Sequence, residues 1–106
     1  MCQTNSGRVA GKIAIVSGAA AGIGRATALR LAEEGAKICL GDIDRTGAES
    51  CAADIRARGG EAFPLALDVA EEADWRRVID ATVERFGGLD ILVNNAGIAF
   101  AAGLEN

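Results

Sequence analysis

Apolar residues fall in short runs separated by longer stretches of helical periodicity. Lys12–Ser17 (KIAIVS) is an apolar, β-branched run closed by Gly18. Lys37–Gly41 (KICLG), Glu61–Leu67 and Asp90–Asn94 (DILVN) have the same character, and each predicts a strand. Between them the spacing changes to that of a helix. Gly22–Glu34 places Ala28, Leu31 and Ala32 on one face, and Gly35 follows as a stop. Thr46–Arg58 does the same with Ala48, Ala52 and Ile55, ahead of Gly59-Gly60. Glu71–Phe86 carries Trp75, Ile79, Thr82 and Phe86 on one stripe and ends at Gly87-Gly88.

Strands alternating with helices of this length predict βαβ units, a parallel sheet and right-handed crossovers. The strand runs are almost wholly apolar, as expected when helices cover both faces. The expected fold is therefore α/β: a Rossmann-like doubly wound sheet of about four strands. Residues 1–8 read as a disordered arm and 9–106 as one dinucleotide-binding domain. The tail beyond Gly97 is Ala-rich and undecided.

The first strand-to-helix turn is Ser17-Gly18-Ala19-Ala20-Ala21-Gly22-Ile23-Gly24. Gly18 permits a tight turn off the strand. Gly22 and Gly24 remove side chains where backbone would approach a pyrophosphate and where helix meets strand. A helix N-terminus then offers free N–H groups and partial positive charge to phosphates. A loop rich in glycine for packing alone is the plainer alternative. The spacing is G-x-x-x-G-x-G. It is neither the G-x-G-x-x-G pattern nor a P-loop, because Arg25 follows where a P-loop has Lys-Ser/Thr.

Asp42 closes the second strand, 24 residues after Gly18. A carboxylate there can accept from adenosine ribose hydroxyls and repels a 2′-phosphate, which favours NAD over NADP. Ala21 and Ile43 bring no positive charge; Arg45 is near enough to swing toward a 2′-phosphate. Asp42 could instead be a solvated turn acid or helix cap, although Asp44 is the better-placed N-cap. Asp68-Val69 follows the third strand at the edge where α/β sheets bind ligands, and Asp68 also reads as a helix N-cap. Asn94-Asn95-Ala96-Gly97 follows the fourth strand, either as close backbone beside a ligand or as a plain turn.

Composition narrows the chemistry. The 106 residues are 50% hydrophobic and 25% charged, with a net charge of −4 from 11 basic and 15 acidic residues. That balance gives no general attraction to nucleic acid. No stretch has the apolar length of a membrane span, and the polar start lacks the apolar core of a signal peptide, so a cytoplasmic protein is expected. There is no His and no Tyr. Ser-His-Asp and Cys-His catalysis, His-ligated zinc and a tyrosine acid are thereby excluded within this chain. Cys2, Cys39 and Cys51 form no C-x-x-C pair, and Cys39 and Cys51 read as small core residues.

The glycine loop, Asp42, Asp68-Val69 and Asn94–Gly97, in this order and spacing, resemble the N-terminal half of the short-chain dehydrogenase/reductase family, from about Val9 to Ile98. Ser17 stands where Thr is more usual in that family. The resemblance implies a sheet in the order 3-2-1-4 with further strands beyond the fourth. It implies that Gly18, Ala20, Ala21, Gly22 and Ile23, with Gly24 in the same loop, line the pyrophosphate and nicotinamide side. Asp42 would hold the adenosine ribose, Asp68 and Val69 the adenine. Asn95, Ala96 and Gly97 would pass beside the cofactor ribose, and Asn94 would brace the sheet. The family's catalytic Ser and Tyr-x-x-x-Lys cannot be assigned, since Tyr is absent and the only lysines are Lys12 and Lys37. The expectation is the NAD-binding half of an oxidoreductase, inactive alone, whose homo-oligomeric parent acts on an alcohol or ketone. The alternatives are a non-catalytic dinucleotide-binding module, a decayed fragment acting through its sheet edge, and, sharing the loop and acid, S-adenosylmethionine binding.

With the fourth strand as an open apolar edge, residues 1–106 alone are expected to be weakly stable or to aggregate. A single sharp calorimetric transition from a species that sediments as a monomer would contradict this.

Overall fold

The computed structural model describes residues 9–94. The expected arm over residues 1–8 and the roles expected of Asn95, Ala96 and Gly97 lie outside them. Seven elements follow in alternation: β1 (Ile13–Ser17), α1 (Gly22–Glu33), β2 (Lys37–Asp42), α2 (Arg45–Ala57), β3 (Glu61–Ala66), α3 (Glu72–Phe86) and β4 (Ile91–Asn94). The boundaries fall within a residue of those read from the apolar runs. The strands form one parallel sheet in the order β3-β2-β1-β4, with Ile15 opposite Cys39 on one side and Leu92 on the other.

The two-residue period of the strands sorts the core into two layers. Ala14 and Val16 of β1, Ile38 and Leu40 of β2 and Ala62 of β3 face α1 and α2, where they meet Ala28, Ala48, Cys51, Ala52 and Ile55. Ile15, Cys39 and Phe63 face the opposite way and pack with Val78, Trp75, Ile79 and Phe86 of α3. The first layer is built mostly of Ala and Cys, so its helices lie close. The second is filled by large side chains, and the Phe63 and Phe86 rings meet edge to face at 5.3 Å. Burial of a large apolar side chain contributes about 1.5–3 kcal/mol.

Helix ends follow local chemistry. The Asp44 side chain accepts from the Gly47 amide at 3.0 Å and caps α2, as its position predicts. Gly87 ends α3 in the left-handed region, at φ 95°.

The outer margin of β3 is chemically occupied. The Leu67 amide donates to the Asp42 carbonyl, so by strand alternation Ala62, Pro64 and Ala66 turn away from β2. Pro64 has no N–H to offer. The carbonyls of Ala62 and Ala66 accept from the guanidinium groups of Arg56 and Arg77. At the other margin, β4 pairs with β1 and leaves Leu92 46% exposed.

Cys39 and Cys51 are buried free thiols. Burial pushes Cys39 from the ordinary 9.0 up to about 11, and it also raises Cys51. In the interval between those values for Cys39 the unfolded chain loses a proton that the folded chain keeps. Folding therefore weakens as pH rises. Denaturant midpoints measured from pH 8 to 11 should fall, and Cys39→Ala should fall less steeply than the parent; equal slopes would show that another group governs the alkaline limit.

Candidate functional site

The carboxyl ends of β1, β2 and β3 bring the sequence-predicted residues to one edge of the sheet. At the end of β1 the chain turns at Gly18, with φ 66°, and enters α1 at Gly22, with φ 62°. Both angles are in the region that favours glycine. A Cβ on Gly22 would meet nothing within 4 Å, so the loop is open on that side. Gly24 is the opposite case. A Cβ there would fall 1.9 Å from the Gly18 carbonyl oxygen, so α1 can rest on its own entry loop only if this residue has no side chain. Gly22 is thus a conformational requirement and Gly24 a packing one.

The N-terminus of α1 is electrostatically receptive. Its N-cap, Ala21, is extended and supplies no side-chain hydrogen bond, and the first turn holds no acidic residue. By contrast α2 is capped by Asp44, and α3 has Glu72 and Asp74 in its first turn. Among the three described helices, α1 alone offers amide donors and positive dipole to an incoming anion without an acidic side chain in competition. Ile23, one residue into the helix, is 75% exposed beside this opening.

Asp42, the last residue of β2, joins loop and strand. One carboxylate oxygen accepts from the Ala20 amide at 2.9 Å, and the other from the Asp44 amide at 2.8 Å. Next to it, the Ala19 amide donates to the Gly41 carbonyl at 3.3 Å. The acid and the glycine loop are therefore one hydrogen-bonded unit. Each carboxylate oxygen retains accepting capacity for a hydroxyl. Ile43, exposed to 76%, follows on the rim. Arg45, three residues on from Asp42, pairs with Glu49 at 3.3 Å, and Arg25, next to the glycine loop, pairs with Asp54 at 3.1 Å.

Asp68 and Val69 stand just beyond β3. Asp68 is not the N-cap of α3, which is Glu71; its carboxylate accepts from the Ala70 amide at 3.0 Å and shapes the turn. At the end of β4, Asn94 braces the sheet as expected. Its Oδ1 accepts from the buried Ser17 hydroxyl at 2.8 Å, so the hydroxyl at position 17 ties β1 to β4. Reading the residues singly missed this bond and the bond from Ala20 to Asp42. One joins the glycine loop to β2 and the other β1 to β4, and only the pairing register brings the partners together. Among the described residues, no group of three His, Cys, Asp or Glu could hold a metal, and no helix is long and apolar enough to cross a membrane.

A parallel sheet in the order β3-β2-β1-β4 with helices packed on it is a Rossmann-like α/β fold. Residues 12–106 match the short chain dehydrogenase family, and the chain belongs to it. It is 49% identical over 98 residues to 2,5-dichloro-2,5-cyclohexadiene-1,4-diol dehydrogenase LinX of Sphingobium indicum, covering 92% of this chain and 39% of that protein. Against D-threitol dehydrogenase of Mycolicibacterium smegmatis it is 44% identical over 98 residues, 92% of this chain and 38% of that one. The crystal structure of hydroxysteroid dehydrogenase from Escherichia coli superposes with a TM-score of 0.82 at 39% identity, covering 85% of this chain and 38% of the other. The chain thus spans roughly two fifths of the length of these relatives.

Gly24→Ala should lower stability by about 3 kcal/mol or more, because the new methyl meets backbone, whereas Gly22→Ala should cost about 1–2 kcal/mol for the left-handed conformation alone. Urea midpoints of the two variants check the order; a larger loss at Gly22 would show that close approach at Gly24 is not the controlling contact.

Proposed function

We propose that this chain is the NAD(H)-binding part of an oxidoreductase that moves a hydride between nicotinamide and an alcohol or ketone carbon. The observation that carries the reading is the Asp42 carboxylate held 2.9 Å from the Ala20 amide. It sets a hydroxyl acceptor beside a helix entry free of acidic side chains. In this reading the diphosphate lies over Gly18, Ala20, Ala21, Gly22 and Ile23, and Gly24 lets α1 come close enough to present its amides. Asp42 accepts from the adenosine ribose, and Asp68 and Val69 border the adenine. Asn95, Ala96 and Gly97, outside the described residues, are assigned to the cofactor ribose from the sequence alone. The bound cofactor would supply the hydride chemistry.

Preference for NAD over NADP follows from charge. A 2′-phosphate would lie against the Asp42 carboxylate, and the guanidinium groups of Arg25 and Arg45 already serve Asp54 and Glu49. The substrate and the acid that protonates it are assigned to parts of the parent enzyme other than residues 9–94. The relatives' printed names include a cyclic diol and a sugar alcohol, and hydroxylated carbon is the substrate class we assign.

Titration with NADH and NADPH, followed by energy transfer from Trp75, the single tryptophan, tests the reading. NADH should bind more tightly, and Asp42→Ala should shift the ratio toward NADPH by about tenfold, or ~1.4 kcal/mol. Binding of S-adenosylmethionine without binding of NADH would overturn it.

A further inference from the structure

The segment between β3 and α3 is fastened by side chains of the helix that follows it. The Asp68 amide donates to the Asp74 carboxylate at 2.9 Å. The Trp75 indole N–H donates to the Val69 carbonyl at 3.0 Å. Trp75 and Val69 both pack against the core cluster that includes Leu67 and Val78. On the β2 side, the Leu67 amide donates to the carbonyl of Asp42 at 3.1 Å. The turn leading to the rim is thus tied to the helix on one flank and to the strand-2 acid's own backbone on the other.

Asp74 occupies the third helical position of α3. A carboxylate there ordinarily reaches back to the amide of the N-cap residue. Here the N-cap amide, that of Glu71, donates to the Asp68 carbonyl instead, and Asp74 reaches three residues further, to Asp68. Glu71 itself makes no side-chain cap. Glu72 pairs within the helix with Arg76, but Asp74 gives one carboxylate oxygen to the preceding loop and the other to Arg77 at 3.5 Å. Trp75 acts alike: its half-buried indole takes an acceptor from the loop. Loop backbone fixed in this way is preorganised before a ligand arrives, which lowers the ordering cost of binding.

We propose that Asp74 and Trp75 are positioning residues that set Asp68 and Val69 for the adenine end of the cofactor. This rests on the dinucleotide reading above. Neither side chain touches the ligand; each holds backbone that does. Asp74→Asn keeps an acceptor oxygen for the Asp68 amide, whereas Asp74→Ala removes it. Trp75→Phe keeps the ring and deletes the N–H.

The probes are 5′-AMP and NADH, with affinities from isothermal titration on the folded chain and its variants. Asp74→Ala should weaken AMP about tenfold and Trp75→Phe about three- to tenfold, while Asp74→Asn stays within about threefold of the parent. NADH should lose the same factor as AMP in each variant, because the loss is confined to the adenosine end. Unchanged AMP affinity in folded Asp74→Ala and Trp75→Phe would overturn the proposal, as would a larger loss for NADH than for AMP, the mark of general loosening. If Asp74→Ala fails to fold by circular dichroism, Trp75→Phe decides in the same way. An unmutated chain that is folded by circular dichroism yet binds neither probe would refute the dinucleotide reading itself, separately from the roles of Asp74 and Trp75.

Discussion

The contact of α1 with its own entry loop governs the site. Gly24 rests against the Gly18 carbonyl at a distance no side chain would allow. That approach fixes where the helix begins, and hence where its unbonded amides point. A helix held one methyl radius further out would carry its dipole away from the β2 terminus. Asp42 could then no longer reach the Ala20 amide. Small residues throughout the layer under α1 and α2, Ala14, Ala28, Ala48 and Ala52 among them, serve the same end. They trade buried apolar area for proximity of backbone. The opposite layer is built mostly of larger side chains.

Much of this was legible in the chain. Among the described residues, apolar runs interrupted by glycine delimited the four strands and helical spacing gave the three helices, because each element repeats its pattern over at least one full period. Asp44 could be assigned as a cap from its place before a helix. Val78 escaped notice: the stripe through Trp75, Ile79, Thr82 and Phe86 runs beside it, yet it is fully buried. Pro64 stands inside a strand, where proline argues against pairing, and is accommodated because it turns toward the open margin.

Less of the candidate site could be read. Asp42 was recognisable as a carboxylate at a strand end, but its grip on the glycine loop depends on the register of β1 against β2. Linear spacing does not contain that information. The same holds for Ser17 and Asn94, 77 residues apart in the chain and bonded at 2.8 Å. The fastening of Asp68 and Val69 by α3 departs from the usual capping pattern, and the pattern itself would have directed attention to Glu71. Polar bonds between elements are individually modest, about 0.5–1.5 kcal/mol for neutral pairs, but they decide which backbone groups remain available at the rim.

The two margins of the sheet give it a direction of growth. At β3, a proline and two arginine-held carbonyls leave an irregular row of partners that an approaching strand cannot match in register. At β4, the backbone beyond its pairing with β1 carries no such obstruction among the described residues. A segment docking on this sheet meets a template with one usable end. Among the described residues, any strand added to this sheet would pair beside β4, where Leu92 is 46% exposed.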